Sequence, residues 1–149
     1  YIVPFVSLIH SVDSEKLLSV IESEAAKCDR VVDCLLEIHV AQEDSKYGFT
    51  PDSRRELLQG GFSEKYPHVR ICGLMGMATQ TDDEDCIERE FSALKKLFDE
   101  VKGSSSVDSS AFCELSMGMS HYYPLALRHG STLVRIGTSI FGERVYSCF

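Results

Sequence analysis

Short apolar runs alternate with segments of helical periodicity along the whole chain. The first run covers residues 5–10. The polar stretch Ser11-Val12-Asp13-Ser14 follows, and Leu17, Leu18, Ile21 and Ala25 then recur at helical spacing. A second run, residues 31–40, is rich in Val, Leu and Ile. After a polar loop over 41–49, Thr50-Pro51 reads as an N-cap with proline at the first helical position, where its missing N–H costs nothing. This predicts a helix over 51–58 that ends near Gly60-Gly61. The third run covers 69–77. Beyond it, Thr81-x-x-Glu84 has the form of a capping box. Ile87, Phe91, Leu94, Phe98 and Val101 make one apolar stripe with charges on the other face, and Gly103 is the predicted stop. A serine-rich loop over 104–110 precedes a short fourth run, 111–115. A helix over 122–129 closed by Gly130, a β-branched run over 132–136 and a last turn from Thr138 complete the pattern.

Five strands alternating with helices predict the α/β class, with parallel pairing and helices outside. The apolar character of the runs suits strands covered on both faces. No internal repeat and no domain boundary stands out, so residues 1–149 are expected to form a single domain.

Composition narrows the function. The formal net charge is −8, and an acidic field repels phosphate backbones, so no nucleic-acid partner is expected. One small phosphate at a local site remains compatible with that charge. No apolar run reaches the roughly 18 residues of a membrane span, so no membrane partner is expected either. The start, Tyr1-Ile2-Val3-Pro4-Phe5-Val6, lacks the basic region and cleavage site of a signal peptide, and the absence of an initiator Met suggests a processed, excised or cut chain. The six cysteines show no C-x-x-C spacing. They read as free thiols in a reducing compartment, the cytoplasm, with Cys34, Cys72 and Cys113 acting as small hydrophobes inside apolar runs.

In folds of this kind ligands lie at the C-terminal ends of the strands. The first strand end offers His10, Ser11 and Asp13. The second offers His39, Gln42 and a loop with Lys46, and the third offers Met75 and Met77. The fourth and fifth offer Ser116-Met117-Gly118-Met119-Ser120 and Arg135-Ile136-Gly137-Thr138-Ser139. In β/α barrels the loops after the last two strands, with a short helix N-terminus, frequently bind phosphate. Gly137 permits close backbone approach, Thr138 and Ser139 add donors, and Ser116 supplies a second donor loop. Gly-Thr-Ser alone reads first as a common helix N-cap, and its pairing with the Ser116 loop at the neighbouring strand end favours phosphate. Arg135 interrupts an apolar strand, and a buried guanidinium needs a partner, either a core carboxylate or a ligand at the barrel mouth. Met77 is placed for core packing or for packing against a ligand ring. The five histidines show no metal-ligand spacing, and no metal is expected.

Glu114-Leu115-Ser116-Met117-Gly118-Met119-Ser120 followed by Val134-Arg135-Ile136-Gly137-Thr138-Ser139-Ile140-Phe141-Gly142 resembles the signature of the pyridoxal phosphate homeostasis proteins. Ile9-His10-Ser11-Val12-Asp13, Lys46-Tyr47-Gly48-Phe49 and Gly73-Leu74-Met75-Gly76-Met77 resemble further family segments in the same order, so the resemblance covers essentially the whole chain. It implies a (β/α)8 TIM-type barrel like the N-terminal domain of alanine racemase, of which this chain supplies about the last five β/α units. It implies pyridoxal 5′-phosphate (PLP) as cofactor, with its phosphate at Ser116, Gly137 and Thr138 and with Arg135 facing the pyridine nitrogen.

The family's Schiff-base lysine sits near the end of the first barrel strand. None of Lys16, Lys27, Lys46, Lys65, Lys95, Lys96 and Lys102 matches it, so the resemblance implies that this lysine and the first three β/α units are not in this sequence. The expectation is a non-catalytic PLP carrier or regulator, not an enzyme, with PLP-dependent apoenzymes as partners. The alternatives are a racemase-like enzyme, which needs a second acid/base that the sequence does not offer, and a fragment unable to hold PLP covalently. Five strands cannot close an eight-stranded barrel, and their open edges invite association.

Overall fold

The computed structural model describes residues 1–41, 47–59 and 61–143, so Gln42 and Lys46 of the second strand-end loop lie outside the described residues. Five strands alternate with helices. In chain order these are β1 (Leu8–Val12), α1 (Glu15–Lys27), β2 (Val32–Ile38), α2 (Pro51–Gln59), α3 (Phe62–Lys65), β3 (Val69–Gly76), α4 (Glu84–Lys102), β4 (Glu114–Met119), α5 (Tyr123–Arg128), β5 (Leu133–Arg135) and α6 (Thr138–Phe141). The strands form one parallel sheet in the order β1-β2-β3-β4-β5. Each strand pairs with its neighbour in sequence. That progression, without a reversal of strand order, is the β/α-barrel arrangement and not a doubly wound sheet. The fold is therefore of the TIM-barrel type, with five β/α units in this chain.

Local chemistry explains where the helices begin. Ser14 caps α1 by accepting from the Leu17 amide at 3.4 Å. Thr50 caps α2 through its hydroxyl, which accepts from the Ser53 amide at 3.1 Å. The cap of α4 differs from the expected capping box. Asp83, not Thr81, occupies the N-cap and accepts from the Cys86 amide at 3.2 Å, while the Thr81 hydroxyl accepts from the Asp83 amide at 3.1 Å. A carboxylate at the cap also complements the helix dipole. The predicted stripe Ile87, Phe91, Leu94, Phe98 and Val101 is wholly buried. Phe98 stacks on Phe112 with ring centroids 5.0 Å apart.

Two strands are displaced from their apolar runs. β1 begins at Leu8, because residues 3–5 form a turn in which Phe5 donates to the Ile2 carbonyl and leaves its ring exposed. β4 runs from Glu114 to Met119, where the apolar run predicted 111–115. Its inward positions are polar, which hides a strand from a hydrophobicity count. Burial pushes the Cys34 thiol up to about 12 and the Cys72 thiol up to about 11, so both are inert core groups, whereas Cys113 is exposed, contrary to its place in an apolar run. Among the described residues no helix is long and apolar enough to cross a membrane.

The sheet carries two unlike faces. Val32, Cys34, Leu36, Ile38, Leu74, Leu115 and Met117 point to the helices and form the main core. Leu35, Cys72 and Met75 make a small second cluster on the other face, joined by Leu8, Met77 and Leu133. Three irregularities set this second face. β1 takes three steps from Ile9 to Val12 where β2 takes two from Cys34 to Leu36. β3 advances two residues from Ile71 to Gly73 against one in β2, and β4 takes three from Ser116 to Met119 against two in β5. Each bulge re-aims the side chains beyond it. Gly73 is required at the second, since a Cβ there would lie 1.7 Å from the Glu114 carbonyl oxygen. Gly118 is required at the third, with φ +91° and the Ala126 Cβ 2.5 Å from where its own would be.

Candidate functional site

The inner face of the sheet gathers polar groups at the C-terminal ends of the strands. Arg135, at the end of β5, reaches back across β4. Its Nη1 donates to the Ser116 carbonyl at 3.1 Å and to Ser116 Oγ at 2.7 Å, and its Nη2 donates to the Gly76 carbonyl at 3.0 Å. Among the described residues no carboxylate lies within ion-pair distance of it, so the core salt bridge considered from sequence is not what holds it. Burial lowers the guanidinium pKa and the charge of Glu37 opposes that shift, yet an arginine stays cationic.

Ser116 is fully buried, and its hydroxyl is shared between Arg135 and His10, whose Nδ1 is 3.2 Å away. Arg135 can only donate, so Ser116 Oγ accepts from it and keeps its own proton available for a His10 Nδ1 in the tautomer that leaves this nitrogen unprotonated. Burial, and then the charge of Arg135, holds the His10 pKa below the ordinary imidazole value, which fits this neutral tautomer.

A second group lies one loop further out. The amides of Gly137 and Ser139 both donate to Ser120 Oγ, at 3.1 and 3.3 Å. The first turn of α6 thus converges its N–H groups on one oxygen position. Thr138 is exposed beside it, and no atom lies within 4 Å of where a Gly137 Cβ would point. Met77 is half-buried against the inner cluster and lines a cavity of about 270 Å³ together with Phe91, Met119, Tyr122 and Arg135.

The structure therefore joins Ser116 to Arg135 directly and sets Met77 and Arg135 on one cavity. It links Gly137 to the β4 loop through Ser120 and not through Ser116. Ser120 was visible in sequence only as part of a loop. Glu37 drew no notice there, although a glutamate inside an apolar strand is the signal that would have found it. It is 5% exposed, and burial followed by the nearby charge of Asp13 raises its pKa, with Arg135 opposing. All the described lysines lie on helices: Lys16 and Lys27 on α1, Lys65 on α3, and Lys95, Lys96 and Lys102 on α4. Among the described residues no group of three His, Cys, Asp or Glu side chains could hold a metal ion. The arrangement can hold an anion at the α6 amides and present a fixed cation to an acceptor on the inner face.

Residues 5–145 match the family of the alanine racemase N-terminal domain. The pyridoxal phosphate homeostasis protein of Aquifex aeolicus is 37% identical over 146 residues, 98% of this chain and 62% of that protein. Its namesake in Helicobacter pylori is 39% identical over 137 residues, 92% of this chain and 58% of that protein. The chain thus spans about three-fifths of the length of these relatives. Among solved structures, PipY of Synechococcus elongatus with PLP bound superposes with a TM-score of 0.78 at 29% identity, covering 95% of this chain and 63% of that one. On this combination of motif, strand order and similarity, the chain belongs to the alanine racemase N-terminal domain family, among relatives that are pyridoxal phosphate homeostasis proteins.

Proposed function

We propose that this chain belongs to a cytoplasmic PLP-binding protein that serves intracellular PLP homeostasis as a non-catalytic carrier or regulator, with PLP-dependent apoenzymes as its partners. The observation that carries this reading is Arg135, a permanent cation held on the inner face by neutral acceptors, with the converging amides of Gly137 and Ser139 in the loop that follows it. The residues present fit the cofactor. Thr138 and the amides of Gly137 and Ser139 would hold the phosphate, with Ser116 fixing Arg135 behind it. Arg135 would face the pyridine nitrogen, and Met77 would pack beside the ring. When bound, PLP supplies an aldehyde and an electron-withdrawing ring. A fixed positive charge at the ring nitrogen disfavours protonation there, which suits storage better than versatile chemistry. The buried Cys34 and Cys72 thiols accord with a reducing compartment.

An absorbance titration with PLP tests the reading. The parent protein should show a saturable shift. Arg135→Ala should weaken binding about a hundredfold and Thr138→Ala about tenfold, the scale of a lost charged and a lost neutral contact. Variants that bind like the parent would refute the site.

A further inference from the structure

Glu37 is an inner-face glutamate that the contacts of Ser116, His10 and Arg135 do not involve. It lies on β2 opposite Met75 of β3, one strand from the carbonyl of Gly76 to which Arg135 donates. The residue is 5% exposed, its carboxyl oxygens open onto the inner face, and among the described residues no side chain or amide donates to them. The charged groups that act on it are Asp13, beyond the end of β1, and Arg135 on β5, while neutral His10 completes the same inner surface. Burial disfavours the charged form of this carboxyl, and its free acceptor sites face the same side of the sheet as the Arg135 guanidinium. Arg135 could have been its ion-pair partner, but its donors go to Ser116 and Gly76 instead. The two side chains thus stand as separate polar walls on one face, the first a donor and the second an acceptor.

We infer that Glu37 is a ligand-binding residue, accepting a hydrogen bond from a hydroxyl on the edge of the ring that Arg135 faces. The inference rests on the PLP reading above and adds a contact to it. PLP has a phenolic hydroxyl on its ring, whereas inorganic phosphate has no ring at all. Glu37 therefore discriminates between the whole cofactor and its phosphate, while the α6 amides and Thr138 serve both. The unpartnered carboxyl is also a stability cost that the free protein carries for binding.

The test uses Glu37→Leu and Glu37→Gln in the purified protein, with PLP and inorganic phosphate as separate probes and the melting temperature of the ligand-free protein as a second readout. Glu37→Leu should weaken PLP about tenfold, leave phosphate affinity unchanged and raise the melting temperature by a few degrees. Glu37→Gln keeps an acceptor and should hold PLP within about threefold of the parent. A Glu37→Leu protein that binds PLP like the parent overturns the inference, and a concurrent loss in Thr138→Ala would leave the PLP reading standing. A lowered melting temperature in both Glu37 variants also overturns it, because that is the mark of a structural role. A parent that does not bind PLP ends both.

Discussion

The two faces of the sheet obey different rules. On the helix-facing side Leu36, Leu74, Leu115 and Met117 are fully buried and anchor the main apolar core. On the inner side only Leu35, Cys72 and Met75 form a buried apolar cluster, and the space around them belongs to His10, Glu37, Ser116 and Arg135. One face holds the fold together. The other holds the polar groups of the candidate site. Apolar burial tolerates many sequences, whereas the inner groups work only in one mutual arrangement.

The contrast can be broken most severely from the outside. Phe112→Ala removes a fully buried ring stacked on Phe98, away from the candidate site, and should cost about 3–5 kcal/mol in urea unfolding, while the folded fraction keeps its PLP affinity. Gly73→Ala strikes the seam between the faces. Its Cβ would meet the Glu114 carbonyl oxygen at 1.7 Å, so β3 and β4 must part, at about 3 kcal/mol by the same measurement. Ser116→Ala acts on the inner side alone. It should cost only about 1 kcal/mol in stability, yet it frees Arg135 from its shortest contact and should lower PLP affinity by more than Phe112→Ala does.

The smallest effect is one of pH. The folded state raises the Glu37 pKa, so its protonated form stabilises the fold at low pH and that contribution is lost as pH rises through the folded value. The folded state lowers the His10 pKa, so its contribution is present above the unfolded value and is lost as pH falls through the folded one. Melting of Glu37→Gln against the parent between about pH 4 and 8 should show the variant gaining relative stability as pH rises. A constant difference would mean that Glu37 does not titrate in this window.

Much of this was legible beforehand. The α4 stripe, the Ser14 and Thr50 caps and the strand–helix alternation all follow from residues a few positions apart. The displaced elements have separate causes. β4 keeps Ser116 on an inward polar face, so its strand did not look apolar, and Asp83 displaced Thr81 as the cap because a nearby carboxylate is the better acceptor.

By itself the sequence determined the order of elements, the helix-facing core and the two strand ends where the candidate chemistry sits, because periodicity and capping are local properties of the chain. Only the tertiary structure decided the three bulges, the contact of Arg135 with Ser116 and Gly76, the reach of Ser120 to the α6 amides and the isolation of Glu37. Those features depend on register and on neighbours up to 106 positions away, as with His10 and Ser116. Such partners are chosen by packing, which no local pattern records.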